Sequence, residues 1–184
     1  MPRPIFATVL LLLGGCAGSI SGLPPVQAVA DQTYKLGPGD ELRVVVFGFD
    51  SITNAYTVND AGRISLPLVS TLEVEGLSTT ELETAISSSL RSRDLAPNAS
   101  VSVQVQKFRP FYILGEVQRP GQYPYIPGMT VLTAVSIAGG YTFRANKNDT
   151  ELVRTRKRVS SRARAGTDAQ VLPGDTLMVP EAWF

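Results

Sequence analysis

The chain has no histidine and a single cysteine, Cys16. Without histidine the commonest general base is missing, and so are the triads and metal sites built on it. Cys16 has no partner for an intramolecular disulfide. Its place in the amino-terminal tail also removes thiolate chemistry and cysteine-ligated zinc from the reading. Charge of one sign is lacking too: 17 basic residues face 16 acidic ones. A near-neutral chain is a poor nucleic-acid binder, because that binding rests on many phosphate contacts. The sequence therefore predicts neither an enzyme nor a cofactor or metal protein. The carboxylates that remain, Glu73 with Glu75 and Glu81 near Ser78, read as surface groups rather than as an acid/base pair.

No apolar run reaches the ~20 residues that a membrane-spanning helix needs. The longest, Ile5 to Leu13, is broken only by Thr8 and comes after Arg3. That length suits the core of an export signal. Two readings of the residues beyond this run are open. Ala28-Val29-Ala30 offers a small-residue cleavage site, although it lies far past the apolar core. Leu13-Gly14-Gly15-Cys16 offers a lipobox, in which Cys16 would carry lipid and begin the mature chain. The second is preferred, because it accounts for the lone thiol. Ala17 is not the Asp of an inner-membrane retention signal, which points to the outer membrane. The expected organisation is a signal over 1–15, a flexible tether over 16–32, and two small modules over 33–107 and 108–184.

With 43% hydrophobic and 18% charged residues, the chain has the composition of a folded globular protein. Gly37-Pro38-Gly39-Asp40 reads as a turn, with a contact to a partner as the alternative. Leu42 to Phe47, Arg63 to Leu66 and Val69 to Val74 read as strands. Ser78 and Glu81 form a capping box at the start of a helix whose Leu82, Ala85, Ile86 and Leu90 share one face. Pro97-Asn98 breaks the chain. Val101, Val103 and Val105 then alternate with polar residues as in a half-buried strand.

The second module begins near Phe108. Tyr112 to Val117 and Tyr123 to Ile126 read as strands joined by a type II turn with Pro120 and Gly121 at its centre. Thr130 to Ala138 reads as a short buried helix ended by Gly139 and Gly140. Glu151 to Thr155 and Thr176 to Val179 read as strands, with a Pro173-Gly174-Asp175 turn that echoes positions 38–40. The prediction is an α+β protein of two modules, the second grasp-like. Phe108 to Phe111 would be a packed hinge or part of a subunit interface. Arg154, Arg156, Lys157, Arg158, Arg162 and Arg164 form the one basic cluster. It reads as a solvated hairpin, or as a contact for an acidic polymer, a lipid headgroup or a partner. Tyr123, Tyr125 and Tyr141 read as packing residues, with sugar stacking as the alternative.

Five stretches carry a family resemblance. "LGPGDELRVVVFG", "NDAGRISLPLVSTLEVEGLSTTELETAI" and "NASVSVQVQKFRP" resemble the polysaccharide-export domain of outer-membrane polysaccharide exporters. "FYILGEVQRPGQYPYIPGMTVLTAVSIAGGYTFRA" and "VLPGDTLMVPEAWF" resemble the soluble-ligand-binding β-grasp (SLBB) domain that comes after it there. Ser70 departs from the pattern, standing where Gly is common. The stretch after Leu152 is shorter than in many relatives. The resemblance implies a homo-oligomeric periplasmic ring, held at the outer membrane by the lipid on Cys16. Capsule or exopolysaccharide would pass through it from a copolymerase in the inner membrane. It also implies a short form without the carboxy-terminal membrane helix of longer members, so a separate outer-membrane β-barrel would supply the exit. A periplasmic ligand-binding module and a structural envelope lipoprotein are the competing readings.

Overall fold

A computed structural model describes residues 24–26, 33–96 and 99–182. Cys16, its apolar run, Ala28 to Ala30, Pro97-Asn98 and Trp183-Phe184 lie outside the described residues. Within them, no helix is long and apolar enough to cross a membrane. The chain forms two α+β modules, each around its own apolar cluster.

The first module pairs β1 (Glu41–Val46) with β2 (Asn54–Thr57) on one side and β5 (Val101–Lys107) on the other, both antiparallel. A hairpin of β3 (Arg63–Leu66) and β4 (Ser70–Glu73) stands beside this sheet. Ser70 has φ 76°, which explains why Gly suits that position: the left-handed region is strained for a residue with Cβ. Leu42, Val44 and Val46 alternate inward along β1, as period-two geometry demands. The helix α1 (Thr79–Ser92) lays Leu82, Ile86 and Leu90 on this core. Its capping box is complete. Ser78 Oγ accepts from the Glu81 N–H at 3.2 Å, and Glu81 Oε2 accepts from the Ser78 N–H at 2.6 Å. The β2 strand was not foreseen. "NAYT" buries no residue fully and sits at a sheet edge, so it carries no alternating pattern to read.

The second module is a mixed sheet in the order β7-β6-β10-β8-β9. These strands are β6 (Phe111–Gly115), β7 (Gly121–Tyr123), β8 (Thr150–Arg156), β9 (Val159–Ala165) and β10 (Thr176–Val179). The last strand lies parallel to the first at the centre, and α2 (Val131–Ile137) comes after the first hairpin. That is β-grasp topology. Thr130 caps α2, and Gly139 (φ 89°) and Gly140 close it, the Gly140 N–H donating to Val135 at 2.9 Å. Val131, Ala134 and Val135 are buried, but Leu132 is 52% exposed, so this helix is not buried all round.

Two expectations are corrected. Pro120-Gly121 is not the centre of a type II turn, which needs φ near +80° at Gly. Gly121 has φ 157° and opens β7. The connection from β6 instead runs along the end of α2, with the Gln118 and Arg119 N–H groups donating to Gly140 and Ala138. The second strand of the hairpin therefore begins two residues earlier than the sequence suggested. The tether expected over 16–32 is also not free throughout. Pro24 to Val26 lie along the β9 edge: the Arg164 N–H donates to Pro24 at 2.8 Å, and the Val26 N–H donates to Arg164 at 2.7 Å.

Candidate functional site

Two Pro-Gly-Asp turns meet where the modules join. In each, the Asp N–H closes the turn on the residue three earlier: Asp40 on Gly37 at 3.2 Å and Asp175 on Leu172 at 3.1 Å. Gly39 (φ 91°) and Gly174 (φ 83°) take the left-handed third position, the reason for Gly after Pro in a type II turn. In each turn the Asp carboxylate folds back on the first residue, accepting from the Gly37 N–H at 2.9 Å and the Leu172 N–H at 2.7 Å. Both aspartates are buried. A buried carboxylate needs a counter-charge and filled lone pairs, and each has an arginine.

Asp175 receives Arg154 as a two-pronged fork, at 2.8 and 2.7 Å. Asp40 receives the Arg109 guanidinium at 3.0 Å, the Arg109 backbone N–H at 3.0 Å and the Tyr34 hydroxyl at 2.6 Å. Burial pushes the Tyr34 hydroxyl far above the ordinary tyrosine range, with the Asp40 charge adding to the shift. Tyr34 is thus a fixed hydrogen-bond donor rather than an acid.

Arg109 ties the turns together. While Nη1 holds Asp40, Nε donates to the Pro173 carbonyl at 3.0 Å. The guanidinium also sits 5.7 Å from the Tyr34 ring centroid. Glycines make room for it on both sides. A Cβ at Gly37 would lie 2.3 Å from Arg109 Nη1, and one at Gly174 2.8 Å from Nε. Beside this clamp, Phe108 packs edge-on between Tyr34 of the first module and Tyr125 of the second, at 5.0 and 5.5 Å. The residues 108–111 are therefore a packed joint. Sequence reasoning placed Arg109 in the Phe108–Phe111 hinge but gave it no carboxylate partner. The available signal was the repeated Pro-Gly-Asp, because two aspartates bound to be buried after tight turns require two cations.

A cleft of about 440 Å³ opens beside the clamp, lined by Tyr34, Leu36 and Pro38 from the first module and by Arg154 to Arg158 and Leu172 to Asp175 from the second. The β8–β9 hairpin forms one wall. Its register separates the basic cluster. Arg154 and Arg156 pair with Ser161 and Val159 and share the Leu152 face, since alternate strand residues point the same way. Arg162 and Arg164 sit opposite Val153 and Glu151, on the other face. There they form ion pairs with Glu151 at 3.0 Å and Asp149 at 3.3 Å. The β9 strand itself was unrecognised because "VSSRARA" turns only Ala163 and Ala165 inward.

At the tip, Lys157 and Arg158 have φ 46° and 65°. Both lie in the left-handed region that a two-residue type I′ turn requires. The tip reaches back to the first module: the Lys157 N–H donates to Glu75 Oε1 at 3.1 Å, and its side chain passes over Gly76. The six cations thus divide into three held in ion pairs (Arg154, Arg162, Arg164) and three at the cleft mouth (Arg156, Lys157, Arg158). Two carboxylates near the cleft have structural uses. Glu75 binds the hairpin tip, while Glu81 caps α1 and pairs with Lys35 at 2.9 Å. The Lys35 ammonium, with the Ser78 donors adding to it, lowers the Glu81 carboxyl to about 2. Tyr123 stacks on Phe111, and Tyr125 and Tyr141 pack against the second core.

Comparison with known proteins agrees with this architecture. Residues 28–106 match the model of the polysaccharide biosynthesis/export protein family, and residues 110–171 match that of the SLBB domain. The exopolysaccharide production protein ExoF of Rhizobium meliloti is 39% identical over 144 residues, which is 72% of this chain and 33% of that protein. The polysialic acid transport protein KpsD of Escherichia coli is 29% identical over 58% of this chain and 19% of its own length. The EPS I polysaccharide export outer membrane protein EpsA of Ralstonia nicotianae is 29% identical over 64% of this chain and 30% of its own length. The chain thus spans a third or less of the curated relatives it matches.

Proposed function

This chain belongs to the polysaccharide biosynthesis/export family, with an SLBB domain behind its export domain, and from that premise we propose that it is a component of a capsule or exopolysaccharide export conduit. In this reading the protein faces the periplasm and is held at the outer membrane by lipid on Cys16. Copies of the chain assemble into a ring. Polymer arrives from a copolymerase in the inner membrane and leaves through a separate outer-membrane β-barrel. The observation that carries the proposal is the match of both domains, in order, to the export and SLBB family models, together with likeness to relatives named for polysaccharide production, transport and export.

The chemistry of the joint supports a role without bond making. Asp40, Asp175, Glu75 and Glu81 are committed to turns, caps and counter-ions, and Tyr34 is fixed as a donor. What the joint does well is hold two small modules at a set angle. Head-to-tail contacts close into a ring only when each subunit presents its two faces at a constant rotation. A clamp that fixes the angle between modules serves that requirement.

The test is deletion of the gene, with separate assay of surface and intracellular polysaccharide. Polymer should be lost from the surface, and the full chain should restore it. Cys16→Ser should restore it poorly and should shift the protein out of the outer-membrane fraction. Unchanged surface polymer in the deletion strain would refute the export reading.

A further inference from the structure

We infer that the cleft between the modules is a binding site for a single carboxylate-bearing sugar unit. The saccharide part of this inference rests on the export reading; the carboxylate part rests on the charges around the cleft.

Size is the first argument. The cleft holds about 440 Å³, within the ~300–1,000 Å³ of small-molecule sites. Its walls come from both modules, and the Arg109 clamp holds those walls in register. Tyr34, Pro38 and Leu172, each partly exposed, give it apolar surface, on which the C–H face of a sugar ring can lie.

Charge is the second. Lys35, Arg109 and Arg154 also line the cleft, but each is neutralised by an ion pair, with Glu81, Asp40 and Asp175 respectively. The remaining charged lining groups are Arg156, Lys157 and Arg158 against Asp60 and Glu75. One positive charge is left over. That surplus suits a monoanion such as a carboxylate better than a phosphate monoester, which carries close to two charges near neutral pH. Guanidinium groups also bind carboxylates in the two-pronged geometry that fixes orientation.

The hairpin tip is the third. A type I′ turn normally takes Asn-Gly, yet Lys157 and Arg158 occupy both left-handed positions here. Strain of this kind persists where surrounding contacts enforce it and gathers at ligand clamps. The enforcing contact is the Lys157 N–H on Glu75. It seats the tip on the first module and sets Arg158 at the cleft mouth. The β8 register brings Arg156 to the cleft on the same face as Arg154, while Arg162 lies on the other face.

Calorimetric titration of the full lipidated chain in detergent provides the test. The probes are a tetramer of glucuronic acid, a tetramer of glucose with the same linkage, and glucose phosphate. The glucuronic acid tetramer should bind saturably at one site per chain, and the glucose tetramer should not saturate. R156A/R158A should weaken binding at least tenfold with an unchanged melting temperature, because neither side chain has an ion pair among the described residues. R162A should bind as the parent does. Equal binding of the two tetramers, tighter binding of glucose phosphate, an equal loss in R162A, or no saturable binding by the folded chain would each overturn the inference. If the gene still restores surface polymer in such a case, this inference falls and the export reading stands.

Discussion

Replacing Arg109 by Met keeps most of the side-chain volume and removes its charge and its donors. Two bonds disappear, the one to Asp40 and the one to the Pro173 carbonyl, both at 3.0 Å in the parent. Breaking a buried ion pair from one side typically costs ~3–5 kcal/mol, and a hydrogen bond to a charged group contributes ~1.5–3 kcal/mol. The first figure is an upper bound here. Arg109 keeps 21% of its side chain in water, and Asp40 retains the Tyr34 hydroxyl and two backbone N–H donors. A loss of about 3 kcal/mol is expected, read from the midpoint of urea unfolding. The loss should be concentrated between the modules, so one cooperative transition in the parent should become two in R109M. A double-mutant cycle with D40N isolates the pair and should return a coupling of roughly 1.5–3 kcal/mol. A cost under ~1 kcal/mol, or a coupling near zero, would refute the claim that this arginine clamps the turns.

Gly37→Ala should mimic R109M, since a Cβ there would lie 2.3 Å from the guanidinium, and it should add almost nothing in an R109M background; additive losses in denaturation would contradict the shared cause. Ser78→Ala should destabilise the first module by ~1 kcal/mol through loss of the N-cap, seen as a lower unfolding midpoint. For Glu81, the folded-state carboxyl lies at about 2 against an ordinary 4.5, so its contribution is complete above ~4.5 and disappears as pH falls towards 2. Melting temperatures of the parent and E81Q should therefore differ at neutral pH and converge on acidification; a gap that persists at about pH 2 would count against the assignment.

What could be read from the sequence was what local chemistry decides. The capping box at Ser78 and Glu81, the alternation of Val101, Val103 and Val105, and the glycines ending α2 each act within a few residues, and each stands where it was expected. The Gly37 to Asp40 turn is also present, though what it is for depends on Arg109, a residue distant in sequence. Strands that bury little escaped notice: β2 lies at an edge, and β9 turns two alanines inward. Pro120-Gly121 misled because Pro-Gly suits a turn in isolation, whereas here the end of α2 offers its carbonyls and draws the loop onto itself. The basic cluster was visible as composition only. Its division between a cleft face and an ion-paired face arises from the pairing register of β8 with β9, which is a property of two strands together.

The contact of Pro24 to Val26 with Arg164 has a consequence for the order of events as the chain is made. Synthesis runs from the amino terminus, and domains fold as they emerge. The first module has all its strands well before β9 exists, yet the segment ahead of that module docks on β9. Pro24 to Val26 therefore cannot take their place until β9 has appeared, and they settle only on a formed second module. A chain cut short before residue 164 would leave Pro24 to Val26 undocked, so their engagement reports that β9 is in place.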